Sequence, residues 1–374
     1  MAKKFKISIC IISMNRLHHV KKTLIPNILN NISYANLEFV LLDYNSSDGL
    51  EGWVKANLQH YIDTGVLTYY RTEDPQIFSH SHSKNVAFKL ATGDILCNIN
   101  ADHFTGKNFA EYVNYKFQRN IDIFLTPINS AKRKNYNPPR DVLGKVCVKK
   151  NDFFNIKGFS EEMIHYGFED HDFTNRLEMS HLKRAPIKKC FLRFISHEEK
   201  ERMENFGSGN IRLMLISYIS PQLTKFVILK SDFKFDMWTL QDLDATSSEL
   251  YQNAFSNTRH AYPIAIKDLE WFKGYWQSNI DNSISLKTLQ MKNLLLHFND
   301  NSQLYELCFG NKTFRFSEVK SATIMSAIKE FNEFSYNRNI TEINMRDKLI
   351  FGNLDKFGTA NIIKNFDTTK MYTI

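Results

Sequence analysis

Apolar residues fall in short unbroken runs through the N-terminal half of the chain. Phe5 to Ser13 and Leu37 to Asp43 are rich in β-branched residues and predict strands buried on both faces, as in a parallel sheet. Val66 to Arg71 and Asp94 to Asn100 predict a third and a fourth strand. Arg16 to Asn30, Leu50 to Tyr61 and Ser79 to Ala91 have helical spacing between them; Pro26 predicts a kink or break, and Gly93 a stop. Gly144 to Val148 predicts a short strand, Asn151 to Ile156 a short helix, and Cys190 to Ile195 another strand. Alternating strands and helices predict an α/β sheet with right-handed crossovers, its ligands lying beyond the carboxyl ends of the strands. Asp43, Asp48, Asn100 and Asp102 fall there. Lys132 to Arg140 is basic, holds prolines and has no periodicity, which predicts a mobile loop near the mouth of the site.

Beyond about Asn205 the pattern reads differently. Helical segments are expected to dominate through Trp238, Trp271 and Trp276. Gln303 to Phe309 and Thr313 to Phe316 predict a hairpin around Gly310-Asn311-Lys312, and Ser321 to Phe334 an amphipathic helix. The expected division is a catalytic domain over 1–220 and a smaller, mainly helical accessory region over 221–374. The most apolar window, Ile211 to Leu229, is interrupted by Arg212, Pro221 and Lys225 and is too broken for a membrane span.

Hydrophobic residues make up 43% of the chain, with 30 Phe, enough for a bulky aromatic core. The net charge of +8 suits an anionic small substrate or an anionic membrane surface. No dense Arg/Lys run with interleaved aromatics is present, which argues against nucleic acid. The five cysteines are scattered without a Cys-x-x-Cys pair and read as reduced thiols. Met1-Ala2-Lys3-Lys4 runs straight into a strand, so no secretory leader is expected. The expected location is the cytoplasm, with peripheral contact at the inner face of a membrane. The first strand is not followed by Gly-x-Gly-x-x-Gly, which weakens a dinucleotide-binding reading.

The stretch from Gly158 to Leu177 carries the sharpest chemistry. Glu169, Asp170 and Asp172 stand at the start of a predicted helix, whose buried face would hold Phe173 and Leu177. Asp172 and Arg176 are spaced to pair along its side, and Gly167 permits a tight turn before the acids. Two readings follow. Asp170 could be an acidic N-cap, or a carboxylate held at the lip of a pocket as a general base.

Gly158-Phe159, Gly167-Phe168-Glu169-Asp170-His171-Asp172 and Asn175-Arg176-Leu177 resemble the acceptor-site motif of inverting glycosyltransferases related to the β-1,4-galactosyltransferases. Tyr166 stands where that family usually has Trp, and Lys157 replaces the first Gly of the turn. Four more stretches resemble GT-A fold, family 2-type glycosyltransferases: Ile9 to Arg16, Leu41 to Gly49, Ser83 to Ala87 and Ile99 to Asp102. The resemblance covers roughly residues 5 to 205 and implies roles position by position. Asp170 would deprotonate the acceptor, with Glu169, Asp172 and Phe168 holding it. Ser13, Asn15, Arg16, Asp43, Ser46, Asp48, Lys84, Asn85, Asn100 and Ala101 would bind the nucleotide sugar, Asp43 through the uracil ring. Asp102 and His197 would ligate Mn²⁺ or Mg²⁺, with His103 a competing ligand. Asn100 replaces the first acid of the metal motif, and Phe194 replaces a Met ligand. The implied partners are a UDP-sugar donor and a glycan or lipid-linked glycan acceptor. A retaining transferase and a catalytically degenerate glycan- or partner-binding protein stay open as alternatives.

Overall fold

The computed structural model describes residues 4–127, 142–163, 167–196, 211–220, 223–242, 266–309, 312–320, 325, 328, 336–338 and 340–374. The chain forms two compact units, one of residues 1–206 with 333–374 and one of residues 207–332. The expected boundary at 220/221 therefore moves: it falls between two paired strands, and the last part of the chain returns to the first unit.

The first unit is built on β1 (Ile7–Ser13), α1 (Leu17–Asn31), β2 (Leu37–Tyr44), α2 (Leu50–Asn57), α3 (Gln59–Asp63), β3 (Leu67–Thr72), α4 (His80–Leu90) and β4 (Ile95–Asn98). Then come β5 (His103–Phe104), α5 (Phe109–Arg119), β6 (Ile123–Thr126), β7 (Val146–Lys149), α6 (Lys150–Asn155), α7 (Glu169–Met179), β8 (Lys183–Pro186) and β9 (Arg193–Phe194). Later residues add β18 (Asn361–Lys364) and β19 (Met371–Thr373). Among the described residues the sheet order is β19-β18-β3-β2-β1-β4-β7-β6-β8. The predicted α/β class holds. The central strands β3, β2, β1 and β4 are parallel, whereas β7, β18 and β19 pair antiparallel, so the sheet is mixed rather than mostly parallel.

Alternation along β1 explains why its run is continuous. Ile7, Ile9 and Ile11 enter one core with Val20, Leu24 and Ile28 of α1. Cys10 enters the opposite core with Val86 and Phe88 of α4. A strand covered by helices on both sides favours apolar residues on both faces; a buried exception, Ser8, donates to Glu38 (2.5 Å). Pro26 lies inside α1 without ending it. The predicted strand at Cys190 to Ile195 is mostly a 3₁₀ turn, Lys189–Phe191, with only β9 extended.

The second unit corrects the helical expectation outright. Strands β10 (Ile211–Ser220), β11 (Leu223–Lys230), β12 (Lys234–Asp242), β13 (Ile266–Ser278), β14 (Ile284–Thr288), β15 (Asn293–Asn299), β16 (Leu304–Phe309) and β17 (Lys312–Glu318) close into a barrel. The Trp238, Trp271 and Trp276 stretch is strand. Leu215, Val227, Phe235, Trp276, Leu296 and Phe316 pack in one core, while Met214, Ile216, Phe226, Ile228 and Trp238 pack in a second, with Val319 and Ile328. Apolar residues on both faces of β10 and β11 hide the two-residue period that marks a strand. The predicted hairpin is present as β16 and β17. Residues 325 and 328 are helical, and the rest of the helix expected over Ser321 to Phe334 lies outside the described residues, as does the Lys132 to Arg140 loop. No helix among the described residues is long and apolar enough to cross a membrane.

Candidate active site

The turns after β1 and β2 interlock at the carboxyl edge of the sheet. The Asn15 amide N–H donates to Ser46 Oγ (3.1 Å), and Asn15 Oδ1 accepts from the Ser47 amide (2.8 Å). Ser46 Oγ donates to the Ser13 carbonyl (3.3 Å). Asp48 accepts from the amides of Leu17 (2.7 Å) and Leu50 (3.3 Å), at the starts of α1 and α2. Behind them Asp43 is fully buried. Its Oδ1 accepts from the Ser46 amide (2.7 Å), and its Oδ2 accepts from the Tyr69 hydroxyl (2.7 Å) and Arg71 Nη1 (2.9 Å). Burial and the Asp43 charge raise the Tyr69 phenol. Arg71, half-buried, also meets Glu73 (3.2 Å) and Glu51 (3.5 Å), so Asp43 lies behind a paired cation. Ser13, Asn15, Arg16, Asp43, Ser46 and Asp48 do come together; Tyr69 and Arg71 were missed because a strand reading assigns them only to packing.

A second group fixes Asp102. Thr23 Oγ1 donates to the Ala101 carbonyl (2.6 Å), and Asn27 Nδ2 donates to the His103 carbonyl (2.9 Å). Asn31 Nδ2 donates to Thr105 Oγ1 (2.8 Å). These buried polar residues repeat every four along α1, a stripe that clamps the segment after β4. Lys145, also buried, donates to the Phe104 and Phe191 carbonyls at 2.9 and 2.5 Å and so ties β5 to the turn before β9. Burial lowers its ammonium to about 8, against the opposing pull of Cys147 and Asp102. The Ile195 amide donates to the Asp102 carbonyl (2.9 Å). Asp102 brings one hard oxygen donor, and His103 Nε2 lies 3.9 Å from its Oδ1, itself buried. No group of three or more His, Cys, Asp or Glu side chains gathers as a metal shell among the described residues. One carboxylate fits an ion held largely by a bound diphosphate, not one caged by protein. His197, the other expected ligand, and Tyr166 lie outside the described residues.

The acidic helix gives the densest electrostatics. Gly167 (φ +83°) and Phe168 (φ +68°) turn the chain into α7, and Asn337 Nδ2 donates to the Gly167 carbonyl (2.7 Å). Phe168, not Asp170, is the N-cap residue, so the capping reading of Asp170 fails. Lys84 reaches across from α4 and donates to Glu169 Oε1 (2.9 Å) and Asp170 Oδ1 (2.6 Å). Its side chain is 4% exposed, against 15% for Asp170. The two carboxylates then diverge. Burial opposes the charge of Glu169, but Lys84 and His80 outweigh it and hold the group down at about 2. Burial dominates at Asp170, and with Glu169 beside it lifts the acid to about 6 despite Lys84. A methyl group placed on Gly144 would lie 3.2 Å from Asp170 Oδ2 and 3.0 Å from Asn100 Nδ2, so these two side chains flank one small gap.

Other expected contacts turn inward. Asp172 is buried, its Oδ2 taking Arg176 Nε (2.7 Å) and its Oδ1 taking Asn344 Nδ2 (2.8 Å). Pairing one turn along the helix faces it into the core, away from an acceptor. Asn85 is buried as well, with Oδ1 on the Phe159 amide (2.8 Å) and Nδ2 on the Phe159 carbonyl (2.9 Å) and Glu161 (2.8 Å), leaving no face for a donor. Glu169 and Phe168 are buried too. Asp170 and Asn100 are half-buried, as are His80 and His171.

Residues 128–202 match the family described as the N-terminal domain of galactosyltransferase. No curated protein matches the chain in sequence. Among solved structures, the mannosyltransferase PcManGT from Pyrobaculum calidifontis, in complex with GDP-Man and Mn²⁺, is 17% identical over 50% of this chain and 56% of that chain, with a TM-score of 0.39. S. aureus TarS 1–349 in complex with UDP is 16% identical over 49% of this chain and 58% of that one, with a TM-score of 0.40. This chain thus spans little more than half the length of these proteins. The family match falls on the segment holding the acidic turn and α7, so this part of the chain is similar to a galactosyltransferase domain.

Proposed function

We propose that the chain is an inverting glycosyltransferase that moves a hexose or N-acetylhexosamine from a UDP-sugar to a hydroxyl of a glycan or lipid-linked glycan, in the synthesis of bacterial cell-surface polysaccharide. The observation that carries this reading is the split pair Glu169–Asp170. One carboxylate is buried and locked in its charged form, and its neighbour stays accessible with a proton affinity near neutrality. Neighbouring acids pushed apart in this way are suited to separate roles, and a base works best when its pKa lies near the working pH.

In this mechanism Asp170 takes the proton from the acceptor hydroxyl. The acceptor oxygen bonds to the anomeric carbon from the face opposite the leaving group. The bond from that carbon to the UDP oxygen breaks, and UDP leaves. Arg16 brings positive charge to the donor end, beside the turns that hold Asn15, Ser46 and Asp48. Asp102 would hold Mn²⁺ or Mg²⁺, with His197 as its expected companion; when bound, the ion neutralises charge on the departing diphosphate. The barrel is proposed as an accessory unit serving acceptor binding, self-association or membrane contact.

The experiment is a donor screen with Mn²⁺ that reads released UDP. At least one UDP-sugar should be turned over. Excess chelator and the substitution Asp102→Ala should each abolish turnover. Full activity in chelator would reject the metal role, and a chain that binds UDP yet turns over no UDP-sugar would be a binding protein.

A further inference from the structure

The sequence resemblance sets Lys84 near the donor, but its contacts lie elsewhere. Its ammonium sits between two carboxylates, 2.9 Å from Glu169 Oε1 and 2.6 Å from Asp170 Oδ1, and 5.2 Å from the centre of the Phe159 ring. An ammonium has three donors and no acceptor. Two of them are spent on the acids, and the third is turned toward an aromatic face. Lys84 is buried in the middle of α4, whose Val86 and Phe88 pack in the same core as Phe159. It therefore reaches the start of α7 from a rigid element rather than from a loop.

The consequence falls on the two oxygens of Asp170. Oδ1 is held by Lys84. Oδ2 takes no hydrogen bond among the described residues and faces the gap over Gly144, opposite the Asn100 amide. We propose that Lys84 is the positioning residue of the base: it pins Asp170 Oδ1 so that Oδ2 is the oxygen presented to the acceptor hydroxyl. This rests on the reading of Asp170 as the base and adds how it is aimed. It also explains why two adjacent acids survive side by side in a buried place. A single buried cation compensates both, and without it the Glu169 charge would force the Asp170 proton to stay on.

The charged and titratable groups around Asp170 come from several elements. Alpha-helix α4 supplies Lys84 and His80, the latter 3.7 Å from Glu169 Oε1. Helix α7 itself supplies Glu169, His171 and the Asp172–Arg176 pair. Strand β8 supplies Arg184, which bonds Glu178 (3.2 Å). Arg16 acts on His80 from the turn after β1. Burial lowers both His80 and His171 to about 4, so both are neutral at working pH and Lys84 is the cation in contact with the acids.

The test follows the Asp170 carboxyl by ¹³C NMR in the full chain labelled at aspartate, with Asp170→Asn identifying the resonance. In Lys84→Met the titration midpoint should rise by at least ~1 pH unit, as expected on losing an adjacent opposite charge. Lys84→Arg should restore it to within about half a unit. The acidic limb of transfer should move up with the midpoint, while affinity for UDP stays unchanged. A folded Lys84→Met chain with an unshifted midpoint would overturn the proposal. So would a loss of UDP affinity without a shift, which would make Lys84 a donor contact. If Lys84→Met does not fold, the Lys84 ammonium is followed by ¹⁵N NMR in the unmodified chain: its signal should move with the Asp170 midpoint, and a signal indifferent to that titration would overturn the clamp. The midpoint is read on the protein alone, so absence of turnover counts against the transferase reading and not against the clamp.

Discussion

At the scale of single residues, the neighbouring acids Glu169 and Asp170 are set apart by what surrounds them. Asp170 is legible because it stands in a run of acids before an amphipathic helix. What separates it from Glu169 and Asp172 is burial and partners, which no spacing encodes: Lys84 lies 85 and 86 positions away from the two acids it holds. The electrostatics give a pH prediction. Asp170 must be ionised to accept a proton, and its acidity is shifted up to about 6. Transfer should be half-maximal near pH 6 and fall about tenfold for each unit below it. A flat profile down to pH 4.5 would contradict that. The stability contributions of the pair have opposite signs. Glu169, depressed to about 2, adds stability that is present above its ordinary range and is lost as pH falls toward 2. Asp170, raised, is most compatible with folding below its ordinary range, and its contribution declines as pH rises through 6.

At the scale of elements, the strands and helices of the sheet were legible because a sheet covered on both faces needs unbroken apolar runs. The barrel was not, because an outer apolar cluster on β10 and β11 masks their alternation. The acidic helix, its buried Phe173 and Leu177 and its Asp172–Arg176 pair are legible from spacing, but the full burial of that pair is not. Arg176 is fully buried; besides Asp172 it donates to the Gly158 carbonyl (2.8 Å). Replacing it by Met would leave the Asp172 carboxylate buried beside Asn344 with no cation. Breaking such a pair typically costs ~3–5 kcal/mol, and denaturant unfolding of Arg176→Met should show a loss of that order. Gly158 makes a separate prediction. At φ +69° its added methyl would meet Asn85 Oδ1 at 2.5 Å and the Phe357 ring at 2.7 Å. Gly158→Ala should therefore lower stability by ~1–3 kcal/mol; an unchanged unfolding midpoint would mean that this turn yields more than its contacts suggest.

At the scale of the whole molecule, the first unit is discontinuous in sequence. Residues 333–374 staple the parts that matter: Asn344 holds Asp172, Asn337 holds Gly167, and Asn353 Nδ2 bonds the Lys157 and Phe159 carbonyls at 2.7 and 2.8 Å. Asn365 pairs with Tyr69, whose hydroxyl holds Asp43, and Phe366 stacks on its ring at 4.7 Å. No local pattern announces this return, since each contact spans well over a hundred residues. A chain ending near Phe206 is therefore not expected to be a working catalytic domain. Removing 333–374 alone should destabilise the first unit and abolish transfer, a loss visible in thermal unfolding; a truncated chain of normal stability would contradict the stapling. The most direct test of the central claim is the rate of sugar transfer by Asp170→Asn, measured with UDP affinity on the same protein. Asn keeps the size of the side chain and cannot accept the proton, so the account predicts transfer slowed at least ~10²-fold with UDP affinity nearly unchanged. Near-normal transfer by that variant would remove Asp170 as the base.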